Sequence, residues 1–427
     1  MTTTTEFIQK NLRWNFSVNL WDIAFISLSL NLVSRETVMP VLVSELTDSK
    51  LAVGLIPAIY TLGFYLPQLL SANFTERLRY KKPITMHLGG WGERLPYGLI
   101  ALVLFFLGTA FPGLTLICFF VLLGVTSTMT GLATPPWYDM IAKVIPANKR
   151  GIWSGIGHGL GAVMGILGAY VVGRVLATHV FPNNFALLFA WSFIFSVISF
   201  VGLALNREPP SEQLKPSTPL RRYIQKLPSV LQQHHNYRRF IISRSIMLLG
   251  TMSAGSYMIY GTENFTQSGA DVASLTALLT AVLIASQAIS NLIWGVIGDK
   301  RGHKTVLVIA AFVLASSALS TYLAQSPTWL IITFVCLGAY LAAEQVSALN
   351  IILEFCRDED RPTFIGLSNT LLAPLFAFAP VLGGWLVTTF GFQVLFICAL
   401  LSAISGALLL SFWVEEPRKG GVATYEL

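Results

Sequence analysis

The chain has 427 residues and a formal net charge of +7, and 54% of its residues are apolar while only 11% are charged. Soluble domains carry about 25% charged residues, so this composition excludes a disordered chain and argues against a water-soluble enzyme. The 4 cysteines exclude a disulfide scaffold. Because lipid offers the backbone no hydrogen bonds, the long continuous apolar runs predict an all-α polytopic membrane protein rather than a β-barrel.

Apolar runs of the length of a membrane-spanning helix follow one another along the chain. Such a helix needs about 20 apolar residues, and twelve of them fit the chain with short loops between them. Residues 1–16 are polar and lead directly into the first run, so no cleavable signal peptide is expected. The predicted spans are residues 17–43, 52–73, 84–107, 114–137, 152–176, 184–206, 240–262, 272–297, 304–324, 327–353, 363–389 and 392–414.

The longest polar stretch, residues 207–239, divides the spans into two groups of six and contains seven Lys or Arg residues and two acids. Its basic character favours contact with anionic lipid headgroups, and the alternative is a segment that binds a regulatory partner. The predicted domains are therefore an N-terminal six-helix bundle at 1–206, a basic cytoplasmic linker at 207–239, and a C-terminal six-helix bundle with a short tail at 240–427.

The distribution of basic residues predicts the orientation of the chain. If the N-terminus is cytoplasmic, 23 of the 28 Lys and Arg residues lie in cytoplasmic segments, and only Lys50 and Arg174 lie in outer loops. Cytoplasmic loops of membrane proteins carry this excess of Lys and Arg. We therefore expect both termini in the cytoplasm, an even number of spans, and a location in a bacterial inner membrane.

The loops of the two halves resemble each other. The loop after span 2 reads ANFTERLRYKK and the loop after span 8 reads GVIGDKRGHK. The segment DMIAKVIPANKRG after span 4 corresponds in the same way to NIILEFCRDEDRP after span 10. Two similar units in the same orientation predict a pseudo-two-fold axis along the membrane normal.

The loop at residues 295–304 resembles the signature GxLADRxGRR of the major facilitator superfamily. The positions of that pattern are occupied by Gly295, Asp299, Gly302 and Lys304. In the first half the pattern is degraded, and its positions hold Ala72, Glu76, Arg77 and Arg79. The resemblance implies twelve helices in two pseudo-symmetric six-helix bundles, and a transporter that works by alternating access.

These loops also carry the predicted gate. Asp299 lies at a helix end, where its carboxylate can bind a neighbouring helix N-terminus or an Arg and hold that side closed; the alternative is a turn with solvated charges. Gly295 and the seven glycines of span 5 are expected to let helices approach closely. The predicted gate residues are Glu76, Arg77, Asp139, Arg150, Gly295, Asp299, Arg301, Gly302 and Lys304.

Ionisable residues inside the spans are the main candidates for a functional site, because a charge at the bilayer centre costs about 2.5–3.5 kcal/mol. In span 1, Asp22 either caps the cytoplasmic end or binds substrate or protons. Arg35 and Glu36 lie toward the outer end of the same span and point about 100° apart on a helix. They either contact substrate or act in gating, with Arg35 suited to a carboxylate or phosphate, or they form an outer ion pair.

Spans 3, 7 and 10 carry further charges. Glu93 and Arg94 lie near the midplane, where they contact substrate or bridge to spans 1 or 6. Glu344 lies deep in span 10, and since burial disfavours a charged carboxylate it suits a proton-coupling site, unless Arg244 pairs with it. Arg244 lies near a span end, from which its side chain can extend to water. The other polar candidates are Asn31, Tyr257, Gln287, Asn291, Gln345 and Asn350.

These features predict a secondary active transporter that moves a small molecule by alternating access, coupled to protons through Glu344 or Asp22. The alternatives are an exporter of hydrophobic or amphiphilic compounds and an uncoupled facilitator. The sequence has no phosphate-binding GxxxxGK[ST] loop and no ligand-spaced set of His and Cys residues, so an ATP-driven pump, a membrane enzyme and a metal site are not expected. A sensor or assembly factor is disfavoured, since no added soluble domain is predicted.

The expected partners are a small-molecule substrate, protons and membrane lipid. No cofactor and no nucleic acid are expected, and the predicted state is a monomer. The intramembrane charges suggest a polar or zwitterionic substrate.

Overall fold

The computed structural model describes residues 4–68, 71, 75, 78–211, 231–356 and 361–417. Within these residues the chain is helical and contains no strand, which confirms the predicted all-α fold. The α-helices are α1 Thr4–Leu32, α2 Val38–Leu46, α3 Lys50–Tyr65, α4 Lys82–Met86, α5 Glu93–Leu107, α6 Pro112–Val144, α7 Ala147–Thr178, α8 Asn183–Ala204, α9 His235–Leu249, α10 Ser256–Phe265, α11 Gly269–Arg301, α12 His303–Tyr322, α13 Pro327–Glu354, α14 Arg361–Phe390 and α15 Phe392–Phe412.

Nine helical segments of the described residues are long and apolar enough to cross a membrane, so the chain is an integral membrane protein with several spans. The remaining predicted spans are the first, second and seventh. Span 1 is interrupted at residues 33–37, between α1 and α2. Span 7 is interrupted by a 3₁₀ turn, Gly250–Ser253, before α10, and the described helix of span 2, α3, has 16 residues. The count of twelve spans stays a prediction.

The described residues fall into two compact units. Unit 1 comprises Met1–Thr47, Ile59–Leu220 and Ser268–Leu278. In it α1 packs against α7 and α8, and α5 packs against α6 and α8. The predicted close packing of span 5 is confirmed where Gly157, Gly161 and Gly168 of α7 contact α1, although its Gly155 and Gly159 face open space.

Unit 2 comprises Asp48–Ala58, Arg221–Gln267 and Leu279–Leu427. In it α12 packs against α13 and α15, and α9 packs against α14 and α15. The expected close approach at Gly295 is not seen among the described residues, where a Cβ atom at this position would meet no atom within 4 Å. Close contact with α11 occurs instead at Gly338 of α13, whose Cβ position lies 2.8 Å from that of Ser286.

The two units contain the same contact at equivalent positions, and the comparison of their loop sequences did not reveal it. In unit 1, Asn15 of α1 donates to the carbonyl of Arg207 at 3.0 Å and accepts from its backbone N–H at 2.9 Å. In unit 2, Asn236 of α9 makes the same pair of bonds with Glu415, at 3.1 and 2.9 Å. In both units the first helix is thus fastened to the segment that follows the sixth span, which agrees with the predicted internal repeat.

The first residues of the predicted linker belong to unit 1 rather than to a separate segment. Glu208 accepts hydrogen bonds from the backbone N–H groups of Lys81 and Lys82, at the start of α4, and pairs with Lys143 at 2.7 Å. Its side chain is 2% exposed. A buried carboxylate at a helix N-terminus compensates both the unpaired N–H groups and the helix dipole. Residues 212–230 of the linker lie outside the described residues.

Candidate functional site: a charged cavity in unit 1

A cavity of about 230 Å³ lies inside unit 1, among α1, α4, α5, α6 and α8. Its polar lining combines three ionisable residues with three threonines and one tryptophan. These residues are Asp22, Glu93, Arg94, Thr85, Thr130, Thr134 and Trp137. Charged and hydroxyl groups thus meet in a cavity whose lining is otherwise largely apolar.

The local sequence explains why α5 begins with charges at this depth. A π-helical turn, His87–Gly92, joins α4 to α5, and such turns often occur at functional sites. Three of its six residues are glycines. One of these glycines, Gly89, lies beside Arg94, and the Arg94 guanidinium donates a hydrogen bond to the Gly89 carbonyl.

Arg94 is 4% exposed and connects three elements. Its Nη2 lies 3.6 Å from the Asp22 carboxylate of α1, and its Nη1 lies 3.5 Å from the Glu93 carboxylate. Its Nε donates to the Ser196 carbonyl of α8 at 2.8 Å, and its Nη2 donates to the Ser199 hydroxyl at 3.1 Å. The predicted bridge from span 3 to spans 1 and 6 is therefore confirmed for Arg94.

Asp22 does not cap a helix end, since it lies in the interior of α1 and is 5% exposed. Its Oδ1 accepts a hydrogen bond from the Ser199 hydroxyl at 2.6 Å. Among the described residues, Arg94 is the one cation that pairs with Asp22 and Glu93 within 4 Å. Two carboxylates thus share one guanidinium, and the cluster carries one net negative charge when all three groups are ionised.

Unit 2 contains a balanced pair instead. Arg244 of α9 is 2% exposed and binds both carboxylate oxygens of Glu344 of α13, with Nη1 at 2.7 Å from Oε1. The expectation that Arg244 extends to water is wrong, because Arg244 is buried and Glu344 of α13 supplies its partner. The alternative in which Arg244 pairs with Glu344 is the arrangement found.

Arg35 and Glu36 lie in the interruption of span 1, between α1 and α2. The guanidinium carbon of Arg35 lies 3.8 Å from the ring centroid of Tyr60, a cation–π contact. Glu36 accepts a hydrogen bond from the Ser34 hydroxyl at 3.3 Å. No carboxylate of the described residues pairs with Arg35 within 4 Å, so the alternative of an outer ion pair between Arg35 and Glu36 is not found there.

The other polar candidates do not meet at this cavity. Tyr257 is fully buried and its hydroxyl bonds to Ser253 and Ser317 within unit 2. The side-chain amide of Asn291 donates to the side-chain oxygen of Gln345 at 3.4 Å. The side-chain amides of Asn31 and Asn350 donate to backbone carbonyls one turn earlier in their own helices. Gln287 is half-buried in α11.

The predicted gate residues are only partly described. Glu76 and Arg77 lie outside the described residues, as do the side chains of Arg150 and Asp299, so the latch at Asp299 stays a prediction. Asp139 pairs with Lys81 at 3.3 Å in unit 1. In unit 2, Gly302 has a φ of +89° just before α12, Arg301 is exposed, and Lys304 donates to the Ser411 carbonyl.

Several hydroxyl groups at the site were not predicted. Thr130 and Thr134 line the cavity, and the Ser199 hydroxyl accepts a hydrogen bond from Arg94. For the two threonines the spacing was the available signal: positions four apart on a helix lie on one face, so polar residues recurring at that interval in an apolar helix indicate a buried polar partner.

Known transporters share the fold of this chain. The family model described as Major Facilitator Superfamily matches residues 24–268 and 241–427. No curated protein matches the chain. The crystal structure of a mutant of the nucleoside transporter NupG is similar over 93% of this chain and 98% of that chain, with a TM-score of 0.72 and 11% identity.

Two other solved structures have the same fold. A POT family transporter in complex with a thioalcohol-conjugated peptide is similar over 95% of this chain and 96% of that chain, with a TM-score of 0.68 and 13% identity. A D-xylose–proton symporter covers the same shares, with a TM-score of 0.60 and 16% identity. At these identities the similarity describes the fold.

Proposed function

The chain belongs to the major facilitator superfamily, and we propose that it is a secondary active transporter that couples movement of a small molecule to movement of protons. Its family and its structural neighbours indicate a transporter rather than an enzyme. The observation that carries the proposed coupling is the cluster in unit 1, where Asp22 and Glu93 share Arg94 beside a cavity. One of the similar structures is a proton symporter, which provides a precedent for coupling on this fold.

The physical argument concerns net charge. A carboxylate removed from water tends to bind a proton unless a cation compensates it, and here one cation serves two carboxylates. One bound proton makes the cluster neutral, and its loss restores a buried negative charge. Because net charge in a membrane is costly, the two protonation states differ in how readily the site is exposed to each side.

The groups that face the two carboxylates come from each element packed around the cluster. Arg94 faces the carboxylates from α5, the Ser199 hydroxyl from α8, and the Thr130 hydroxyl from α6. The phenols of Tyr60 and Tyr97 lie within electrostatic range of Glu93. No second cation compensates the acids in this part of the described chain, whereas the carboxylate of Glu344 in unit 2 already has Arg244.

A direct test needs no substrate. We expect infrared difference spectra of the purified protein between acidic and alkaline pH to contain the carbonyl band of a buried carboxylic acid. That band should disappear or shift in Asp22→Asn or in Glu93→Gln. Glu45→Gln removes an exposed carboxylate of α2 and serves as the control, which should leave the band unchanged.

Proteoliposomes extend the test to transport. An imposed pH gradient should drive accumulation of a transported solute in the wild type, and Asp22→Asn should reduce this accumulation at least tenfold while exchange without a gradient persists. If both Asp22→Asn and Glu93→Gln keep the infrared band and the gradient-driven accumulation, the proposed coupling site is wrong.

A further inference from the structure

Arg35 differs from Arg94 and Arg244, which also lie inside predicted spans. Arg94 is neutralised by Asp22 and Glu93, and Arg244 is neutralised by Glu344. Arg35 has no carboxylate within 4 Å and no hydrogen-bond acceptor among the described residues, and its one close contact there is the ring of Tyr60. It is half-buried at the helix interruption of span 1.

We propose that Arg35, stacked on Tyr60, binds a carboxylate group of the transported molecule, so that the substrate is a small organic anion. This inference rests on the proposed transport function and adds the substrate class to it. A guanidinium presents five N–H donors in a planar fork that matches both oxygens of a carboxylate. The guanidinium carbon lies 3.8 Å from the Tyr60 ring centroid, and no described residue accepts a hydrogen bond from the guanidinium, so its N–H donors stay available to a ligand.

The position of Arg35 adds to this chemistry. Interrupted spanning helices in transporters place half-helix N-termini, which carry partial positive charge, near anionic groups of substrates. Helix α2 starts at Val38, three residues after Arg35, and the side chain of its N-cap residue, Thr37, makes no capping hydrogen bond. The N–H groups of Val38 and Met39 bind the Ser34 carbonyl, so the helix end contributes potential and the guanidinium supplies the direct contact.

Glu36 makes the proposal more specific. Its carboxylate lies within electrostatic range of Arg35 but forms no ion pair with it under 4 Å. A bound carboxylate therefore meets some repulsion from Glu36. Removing that charge with Glu36→Gln should strengthen binding of an anion. The same substitution should weaken binding of a cation and leave binding of a neutral ligand unchanged.

The experiment measures thermal unfolding of the purified full chain by its tryptophan fluorescence. The probes are lactate, succinate, glutamate and benzoate, with lactamide and benzamide as the matching uncharged compounds and with inorganic phosphate as a different anion. We expect at least one carboxylate to raise the unfolding temperature and its amide to have no effect. Affinity for that carboxylate should fall about 10- to 100-fold in Arg35→Gln, and less in Arg35→Lys.

Tyr60→Leu provides a second variant that keeps the charge and removes the ring, and it should weaken binding about 2- to 30-fold. Glu45→Gln is again the control. The proposal is overturned if no carboxylate of the panel stabilises the protein, if phosphate alone does, if the amides stabilise it equally, or if Arg35→Gln binds as the wild type does. The infrared test of Asp22 is independent of these probes, so failure of one proposal is distinguishable from failure of the other.

Discussion

The arginines inside the predicted spans show how differently one residue type is used in this chain. Arg244 meets one carboxylate and forms a neutral pair. Arg94 meets two carboxylates and leaves a net negative cluster. Arg35 meets none within 4 Å among the described residues and leaves a positive site. A neutral pair suits a structural role, a negative cluster suits a proton, and a positive site suits an anion.

The structural role of the Arg244–Glu344 pair is testable by stability. Removing one partner leaves the other charge buried without compensation, which costs about 3–5 kcal/mol. We therefore expect Arg244→Gln and Glu344→Gln each to lower the unfolding temperature strongly, and the double variant to recover part of the loss. Thermal unfolding of the wild type, the two single variants and the double variant, monitored by tryptophan fluorescence, measures the coupling between Arg244 and Glu344.

The exposed pair of Arg239 and Glu415, in the same unit, is the matched control. Its side chains are 38% and 76% exposed, so solvent screens the interaction and Arg239→Gln should change the unfolding temperature little. Additive effects of the two buried substitutions, with no recovery in the double variant, would contradict a structural pairing.

The sequence indicated which charges matter but not which partners they have. Glu93 and Arg94 interrupt a long apolar run, so their importance was visible, and a bridge to span 1 or span 6 was one of the two predicted roles. The bond between Arg244 and Glu344 joins residues 100 positions apart and depends on the fold of unit 2, so pairing stayed one of two alternatives. The lack of a carboxylate partner at Arg35 was not predicted, because Glu36 is adjacent in the chain.

At the scale of elements, apolar composition hides interruptions of a helix. Span 1 and span 7 were each predicted as one continuous span, at 17–43 and 240–262, and the structure interrupts both. Hydropathy averages over about 20 residues, so a few non-helical residues do not lower it enough to be detected. The interruption in span 1 is nevertheless where Arg35 and Glu36 lie.

Helix contacts at glycines predict a second measurable effect. A Cβ atom at Gly131 of α6 would lie 2.7 Å from the Gly63 carbonyl of α3 and would also collide with the backbone of Phe64. We expect Gly131→Ala to destabilise the protein by about 1–3 kcal/mol through overpacking, although alanine is the better helix former by about 1 kcal/mol. Thermal unfolding of the purified variant measures the change.

Gly124 lies on the same helix and supplies the control. A Cβ atom there would lie 3.5 Å from Ile59, which is ordinary contact, so Gly124→Ala should be neutral or slightly stabilising. Equal unfolding temperatures for the two variants would show that α3 and α6 do not pack as closely as described. Neighbouring Thr130 and Thr134 line the cavity, so a shift of α6 would also change the proposed proton site.

At the scale of the whole molecule, composition predicts the class of protein and the loop sequences predict the internal repeat. The division into two compact units depends on how the helices pack. The polar linker marks where the chain passes from one half to the other, but its position does not predict which helices contact one another. The structure assigns residues 48–58 to unit 2 and residues 268–278 to unit 1, away from their neighbours in sequence. Such assignments depend on which helices pack together, as at Gly54, whose Cβ position meets the backbone of Pro380.

The orientation predicted from basic residues leads to a test on a single helix. Helix α7 has 32 residues and a length of about 48 Å, which exceeds the hydrocarbon core of about 30 Å, so its two ends should emerge on opposite sides. Lys149 and Val180 lie near these ends and are exposed. In a variant without the four native cysteines, Val180→Cys should react with an impermeant maleimide in intact cells, and Lys149→Cys only after permeabilisation.

The reverse labelling pattern would mean that the excess of Lys and Arg faces outward, against the usual distribution in membrane proteins. Labelling of both positions in intact cells would mean instead that α7 does not cross the membrane. Because α7 also packs against α1 through Gly157, Gly161 and Gly168, its direction determines that of α1. The same result therefore decides whether the cavity or the Arg35 site lies nearer the cytoplasm, and with it the side from which a proton first reaches Asp22.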